Sequence, residues 1–253
     1  MASLQYAKRI QQALLPYEER MTAVFPNHFV LFQPKDVVSG DFYWMQEKGG
    51  KAYFALVDCT GHGIPGGFMS MIGHALLDSI VLEKGLTNPS DVLLALASGI
   101  QKALQQEHTD SHDGMDVSFC VFDFQQKELL FAGAKQTLVY IQDGQMKTIK
   151  GDRAYIGGHI QYTAEKFTTH RVSLEKPTHI YLSSDGYYDQ FGGQNQKKIL
   201  SKRFRELLFD IHTLPMEEQR LHLRKYLATW KREGQEKQTD DILVVGLYLE
   251  VEE

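Results

Sequence analysis

Four aspartates share one local design. Residues 57–68 read VDCTGHGIPGGF, so the apolar run 53–57 ends on Asp58 and passes straight into a glycine-rich turn. Asp41 sits in Ser39-Gly40-Asp41 beside a strand, Asp185 ends the run THIYLSSD before Gly186, and Asp240 opens the last strand in Thr239-Asp240-Asp241. One aspartate beside a glycine is usually a turn former. Four of them at the ends of strongly apolar strands fit that reading poorly. A carboxylate next to a core strand is costly unless its charge is offset, and no lysine or arginine lies in any of these motifs. A cation is the natural partner. Donors that are all oxygen favour Mg²⁺ or Mn²⁺ over zinc. Two such ions about 3.5–4 Å apart need a bridging carboxylate and make a water acidic enough to attack phosphorus. A backbone carbonyl just after Asp58 adds a ligand, and Gly61 and Gly63 leave room for a phosphate.

The same turn also spells G-x-G-x-x-G at Gly61, Gly63 and Gly66, the dinucleotide fingerprint. Its context argues against that chemistry. A dinucleotide fold needs the following helix to lead into a second parallel strand. Here a helix over 64–84 passes through Asn88-Pro89-Ser90 into another helix.

The elements that must position the carboxylates are legible as periods. Residues 3–20 read as one helix, with Ala7, Ile10 and Leu14 as its apolar stripe. Strands are expected at 28–34, 38–44 and 52–58, helices at 64–84 and 88–106. Phe68, Met69 and Met71 read as core. Short β runs follow at 117–124, 127–134, 137–143, 145–150, 167–174 and 178–185, then helices at 196–209 and 215–232, and a buried strand at 241–250. Most connections are too short for crossover helices, which makes the sheets largely antiparallel. The order predicts an α+β fold of two packed sheets with helices outside. One domain over 21–253 is expected, preceded by a linker or regulatory helix over 1–20 that continues an upstream element and offers a route to a homodimer.

Composition narrows the class. The 253 residues carry 43% hydrophobic and 23% charged side chains with a net charge of -5, an ordinary globular balance and not that of a general nucleic-acid binder. No uninterrupted apolar run approaches the roughly 18 residues of a membrane span. Cys59 and Cys120 read as reduced, buried thiols. A cytoplasmic location is expected, as the output domain of a larger membrane-anchored sensor.

Taken together, VVSGDFYW, VDCTGHGIPGGFMS, LSSDGYYD and TDDILVV, in this order, resemble the metal-dependent PPM (PP2C-type) protein phosphatases, and within them the bacterial SpoIIE/RsbU-like branch. The similarity runs from about Gln11 to Val251. It implies an αββα sandwich of two mainly antiparallel sheets flanked by helix pairs. It implies two Mg²⁺ or Mn²⁺ ions, with Asp58 bridging both, Asp41 on one, Asp185 and Asp240 on the other, and the Cys59 carbonyl as a further ligand. A hydroxide between the ions would attack phosphoserine or phosphothreonine. Asp241 falls at a supporting position. His62 either protonates the departing oxygen or fixes the turn. Lys35 is the nearest cation to Asp41 for the phosphate. Asp113 and Asp116 either serve a third metal or form a turn and a solvated strand start. Asp189 either supports Asp185 through water or lies at the surface, and Lys135 either contacts substrate or is solvated. The branch implies a small STAS-domain protein of the anti-sigma-factor-antagonist type as the phosphorylated partner. The alternatives are a pseudophosphatase that only binds proteins and a metal-dependent phosphodiesterase, the latter disfavoured by the lack of histidine-rich metal motifs.

Overall fold

Strand residues alternate strictly enough that each central strand divides its side chains between two cores. The computed structural model describes residues 2–158 and 167–250; the end of the family resemblance, Val251, lies outside them. One sheet has the order β1 (Asn27–Gln33), β13 (Ile242–Leu249), β10 (Thr178–Ser183), β6 (Thr137–Gln142) and β7 (Gln145–Lys150). The other runs β2 (Phe42–Lys48), β3 (Lys51–Cys59), β4 (Gly114–Asp123), β5 (Glu128–Ala134) and β9 (His170–Ser173), with β8 (Ile156–Gly157) against β4. A small ribbon joins β11 (Phe191–Gly192) to β12 (Lys197–Lys198). Every named ladder is antiparallel, as the short connections require.

Helices cover both outer faces. On the β2–β5 sheet lie α3 (Gly63–Asp78), prolonged by a π-helical segment Ser79–Glu83, and α4 (Pro89–Ala103). On the other sheet lie α5 (Ser201–Ile211) and α6 (Met216–Gly234). The result is the expected αββα sandwich. At the N-terminus, α1 (Ala2–Leu14) lies along α3, and α2 (Glu18–Val24) leads into β1.

The period of two then decides where each carboxylate points. In β3, Tyr53, Ala55, Val57 and Cys59 pack under the helices with Leu77, Val92 and Leu96. Ala52, Phe54 and Leu56 face the other sheet and meet Leu182, Leu243 and Val245. Beyond that sheet, Tyr181, Ile242 and Val244 pack on Phe204, Leu208 and Leu223. Burying each of the larger aliphatic or phenylalanine side chains is worth about 1.5–3 kcal/mol, so a one-residue slip, which would exchange the two faces, is strongly disfavoured. Asp58 continues the even, inter-sheet series of β3. Asp116 continues that of β4, where Cys120 and Phe122 face the same way. The acids therefore meet at one rim of the gap between the sheets.

Several expectations need correction. Residues 3–20 form two helices, because Pro16 excludes the helical conformation for Leu15 and removes a donor. The buried face of α1 runs through Gln11, while Ile10 is 40% exposed. Residues 38–41 are a loop, and β2 starts at Phe42. In α3, Met69 is core, but Phe68 and Met71 are 65% and 40% exposed. Residues 196–200 belong to β12 and a turn, so α5 begins only at Ser201. Gly63–Glu83 is long and apolar enough to pass as a membrane span by composition; here its Leu77, Ile80 and Val81 are part of the core.

Candidate active site

The rim is assembled by backbone contacts between segments far apart in sequence. The loop before β2 carries Asp41 and crosses the turn after β3 at glycines. A Cβ on Gly40 would lie 2.4 Å from the Gly61 carbonyl oxygen, and one on Gly66 would lie 2.4 Å from the same oxygen and 2.9 Å from Gly40 Cα. No side chain fits there, and this crossing is what sets Asp41 beside Asp58. Asp241, just before β13, holds the same loop. Its Oδ1 accepts the Lys35 N–H and its Oδ2 the Gly40 N–H, both at 2.7 Å. From the opposite side, Gln11 of α1 donates through Nε2 to Ser39 O at 2.6 Å and Ser70 Oγ at 2.8 Å, and accepts the Ser39 N–H through Oε1 at 3.0 Å.

Asp185 begins a 3₁₀ turn after β10. Its N–H is directed at Asp58 Oδ2 over 3.4 Å, so the two sheets meet through these residues. Asp240 lies two residues before β13, is exposed, and accepts the Asp241 N–H at 2.8 Å. Asp116 stands directly across the ladder from Asp58. The site therefore gathers Asp41, Asp58, Asp116, Asp185, Asp240 and Asp241.

Their electrostatics follow from burial and mutual repulsion. Burial pushes Asp41 well above the usual carboxylate range, and the charges of Asp241 and Asp240 add to it. Asp58 is also pushed well up, first by burial, then by Asp41, Asp185, Asp116 and Asp240. Asp185 is raised to about 6 by burial, Asp189, Asp240 and Asp116. Burial raises Asp116 and Asp241 as well. The Cys59 thiol is pushed up by burial and by the same acids. It turns under the helices, so the backbone carbonyl is the group Cys59 can offer to the rim.

A divalent cation fits this donor set. All the side-chain donors are oxygens, and among the described residues Asp41 Oδ2 is buried without a hydrogen-bond partner, a cost that a cation would relieve. The acids are neighbours and not yet a closed cage: among the described residues no three His, Cys, Asp or Glu side chains stand in a ready ligating group.

The other predicted residues divide. His62, at the entry of α3, directs Nδ1 at Asp36 Oδ2 over 2.6 Å and Nε2 at Lys35 Nζ over 2.8 Å. Lys35 and His62 thus form one cluster with Asp36. Gly61, with φ of 82°, has open space where a side chain would be; Gly63 instead faces Asp36. Asp189 pairs with Lys198 at 2.7 Å and donates its N–H to Asp185 O at 2.9 Å, so it belongs to the Asp185 turn. Asp113 accepts from Ser111 in the loop before β4 and is exposed. Lys135 lies 3.9 Å from Asp116 Oδ1.

Sequence reasoning missed Gln11, Asp36, Ser184 beside Asp41, and Gln136, whose Nε2 donates to Asp116 O at 3.0 Å. Gln11 did leave a signal. It falls between Ala7 and Leu14 at spacings of four and three, so an amide occupies the buried stripe of α1.

Comparison with known proteins identifies the family and the fold. The family model described as stage II sporulation protein E (SpoIIE) matches residues 48–250. The SiaA-PP2C domain of Pseudomonas aeruginosa is 32% identical, with a TM-score of 0.87 over 98% of this chain and 96% of that one. The PP2C phosphatase domain with a regulatory fragment of SpoIIE from Bacillus subtilis is 21% identical, with a TM-score of 0.66 over 88% of this chain and 61% of that one. RsbX in complex with magnesium is 17% identical, with a TM-score of 0.59 over 88% and 94%. The last two likenesses concern the fold alone. No curated protein matches the sequence.

Proposed function

The chain belongs to the SpoIIE family of PP2C-type phosphatase domains, and from that premise we propose that it is a metal-dependent serine/threonine phosphoprotein phosphatase. The observation that carries the reading is the meeting of Asp41, Asp58, Asp185 and Asp240 at the inter-sheet rim, with Asp41 Oδ2 left unpartnered among the described residues. Asp58 would bridge two Mg²⁺ or Mn²⁺ ions, Asp41 would hold one, and Asp185 and Asp240 the other, joined by the Cys59 carbonyl. When bound, such ions supply charge neutralisation for a phosphoryl group and acidify a water. RsbX, a relative by fold, was solved with magnesium.

The chain's own residues do the rest. Asp241 and Gln11 hold the Asp41 loop in place. The open face at Gly61 admits the phosphate beside the turn, and Lys35, held by His62, offers the nearest positive charge on the loop. The Asp36 carboxylate accepts from His62 Nδ1–H, and Nε2 accepts from the Lys35 ammonium. That leaves Lys35 and His62 as a proton-holding pair at the mouth, placed to return a proton to the leaving serine or threonine oxygen.

The substrate is proposed to be a small phosphorylated STAS-domain protein, the partner class of the resembled branch, and the chain the cytoplasmic output domain of a longer sensor, with α1 as its regulatory, dimerising element. Phosphate release from such a protein, measured with Mn²⁺ and with EDTA, tests the reading. Release should require the metal and drop by more than 100-fold in Asp240→Asn. Release that survives either treatment would contradict the metal role. A folded, Mn²⁺-binding protein that releases no phosphate from any STAS phosphoprotein or phosphopeptide would be the pseudophosphatase instead.

A further inference from the structure

Lys135 carries a positive charge into an acidic rim. Asp116 and Asp58 oppose one another across β3 and β4, and like charges so placed destabilise a sheet. The charge of Asp116 also helps to push Asp58 and Asp185 up. Lys135 Nζ lies 3.9 Å from Asp116 Oδ1 and 3.2 Å from the centroid of the Tyr155 ring, so carboxylate and aromatic face both hold the ammonium.

Its backbone is held as firmly. Lys135 has φ of 58°, the left-handed region that a lysine rarely adopts. The turn between β5 and β6 is clamped by Lys135 N–H to Asp152 O, Asp152 N–H to Gly133 O and Gly151 N–H to Gln136 O, each at 2.8 Å. Strain of this kind persists where the surroundings over-determine it. The same turn grips Asp116 twice, Gln136 Nε2 at its carbonyl and Lys135 at its carboxylate. A lysine on a free surface loop has none of these constraints.

We propose that the Lys135 ammonium is a fixed third cation of the site, which neutralises Asp116 and so limits the acidic rim to two divalent ions. The inference rests on the metal reading above. It makes Lys135 a positioning residue, acting on the metal site through Asp116.

The test is Mn²⁺ stoichiometry of the full chain, by calorimetric titration and by electron paramagnetic resonance of free Mn²⁺, with thermal melting to verify folding. Wild type should bind two equivalents. Lys135→Met, or Lys135→Gln should the methionine variant not fold, should gain a third equivalent at least tenfold weaker. That third equivalent should vanish in Lys135→Met/Asp116→Asn, and Lys135→Arg should stay at two. If the charge-removing variants still bind two, or if wild type binds three and Asp116→Asn two, the inference is overturned while the metal reading stands. A wild type that binds no Mn²⁺ overturns both.

Discussion

Asp58→Asn should make the metal-free protein more stable and the manganese-loaded protein less so. Asp58 stands across the ladder from Asp116, where opposed Cβ atoms are about 5 Å apart. Two unit charges about 5 Å apart repel by about 3 kcal/mol at an effective dielectric near 20. Asp41, Asp185 and Asp240 add to the repulsion at Asp58. Three effects subtract: Lys135 offsets part of the Asp116 charge, burial already drives Asp58 toward its protonated form, and the amide loses the weak contact from the Asp185 N–H. A net gain of about 1–2 kcal/mol remains. In a chain of 253 residues, each kcal/mol moves the melting midpoint by about 2–4 °C. The variant in EDTA at pH 7.5 should therefore melt about 2–8 °C above wild type. Manganese at 100 times its Kd should add about 2.7 kcal/mol to wild type and far less to the variant, reversing the order. Differential scanning calorimetry in EDTA and across a Mn²⁺ titration reads both effects. If Asp58→Asn melts several degrees below wild type in EDTA, or if manganese raises both equally, the claim of unneutralised repulsion at this rim is wrong.

Other consequences are equally concrete. Gly66→Ala puts a methyl against Gly61 O and Gly40 Cα, backbone that cannot yield, and should cost about 1–3 kcal/mol and at least tenfold in phosphate release; wild-type activity would show that the crossing does not position Asp41. Gln11→Ala strips the buried Ser39 N–H and carbonyl of their side-chain partner, while Ser70 Oγ keeps its bond to Gly67 O, so urea unfolding should show a loss of about 2–3 kcal/mol, and half-maximal activity should require several times more Mn²⁺; an unchanged Mn²⁺ requirement would uncouple α1 from the site. Burial, then His212, holds His179 down at about 4, whereas the unfolded chain titrates near about 6.5. Between those values the unfolded state binds more protons, so stability should fall as pH drops from about 6.5 to about 4 and be indifferent to this group above. Because the imidazole is partly exposed, solvent screening reduces the effect to about 1 kcal/mol. His179→Gln should flatten that part of the melting–pH curve, and an unaltered slope would refute the assignment.

Much of this architecture is written in local pattern. Apolar strands ending on Asp58 and Asp185 were legible because period-two runs survive without tertiary context, and the order of strands and helices was enough to imply the sandwich. What escaped depends on contacts between distant segments. Residues 38–40 read as strand, yet Asp241, about 200 positions away, at Gly40 and Gln11 at Ser39 hold the segment as a loop. Lys135 is exposed, as a solvated lysine would be, but nothing in GAKQ announces the left-handed turn that sets it beside Asp116. Phe68 and Met71 looked like core because an apolar residue in a helix carries no mark of which face the sheet covers. Pro16, which ends α1, and Gln11, an amide in its apolar stripe, were local signals passed over.

The most direct test is anomalous diffraction at the manganese edge from a crystal of this protein soaked in Mn²⁺. The account predicts two peaks at the inter-sheet rim, with Asp58 contacting both, Asp41 near one, and Asp185 and Asp240 near the other. A rim with no anomalous density while these four carboxylates stay in place would contradict it.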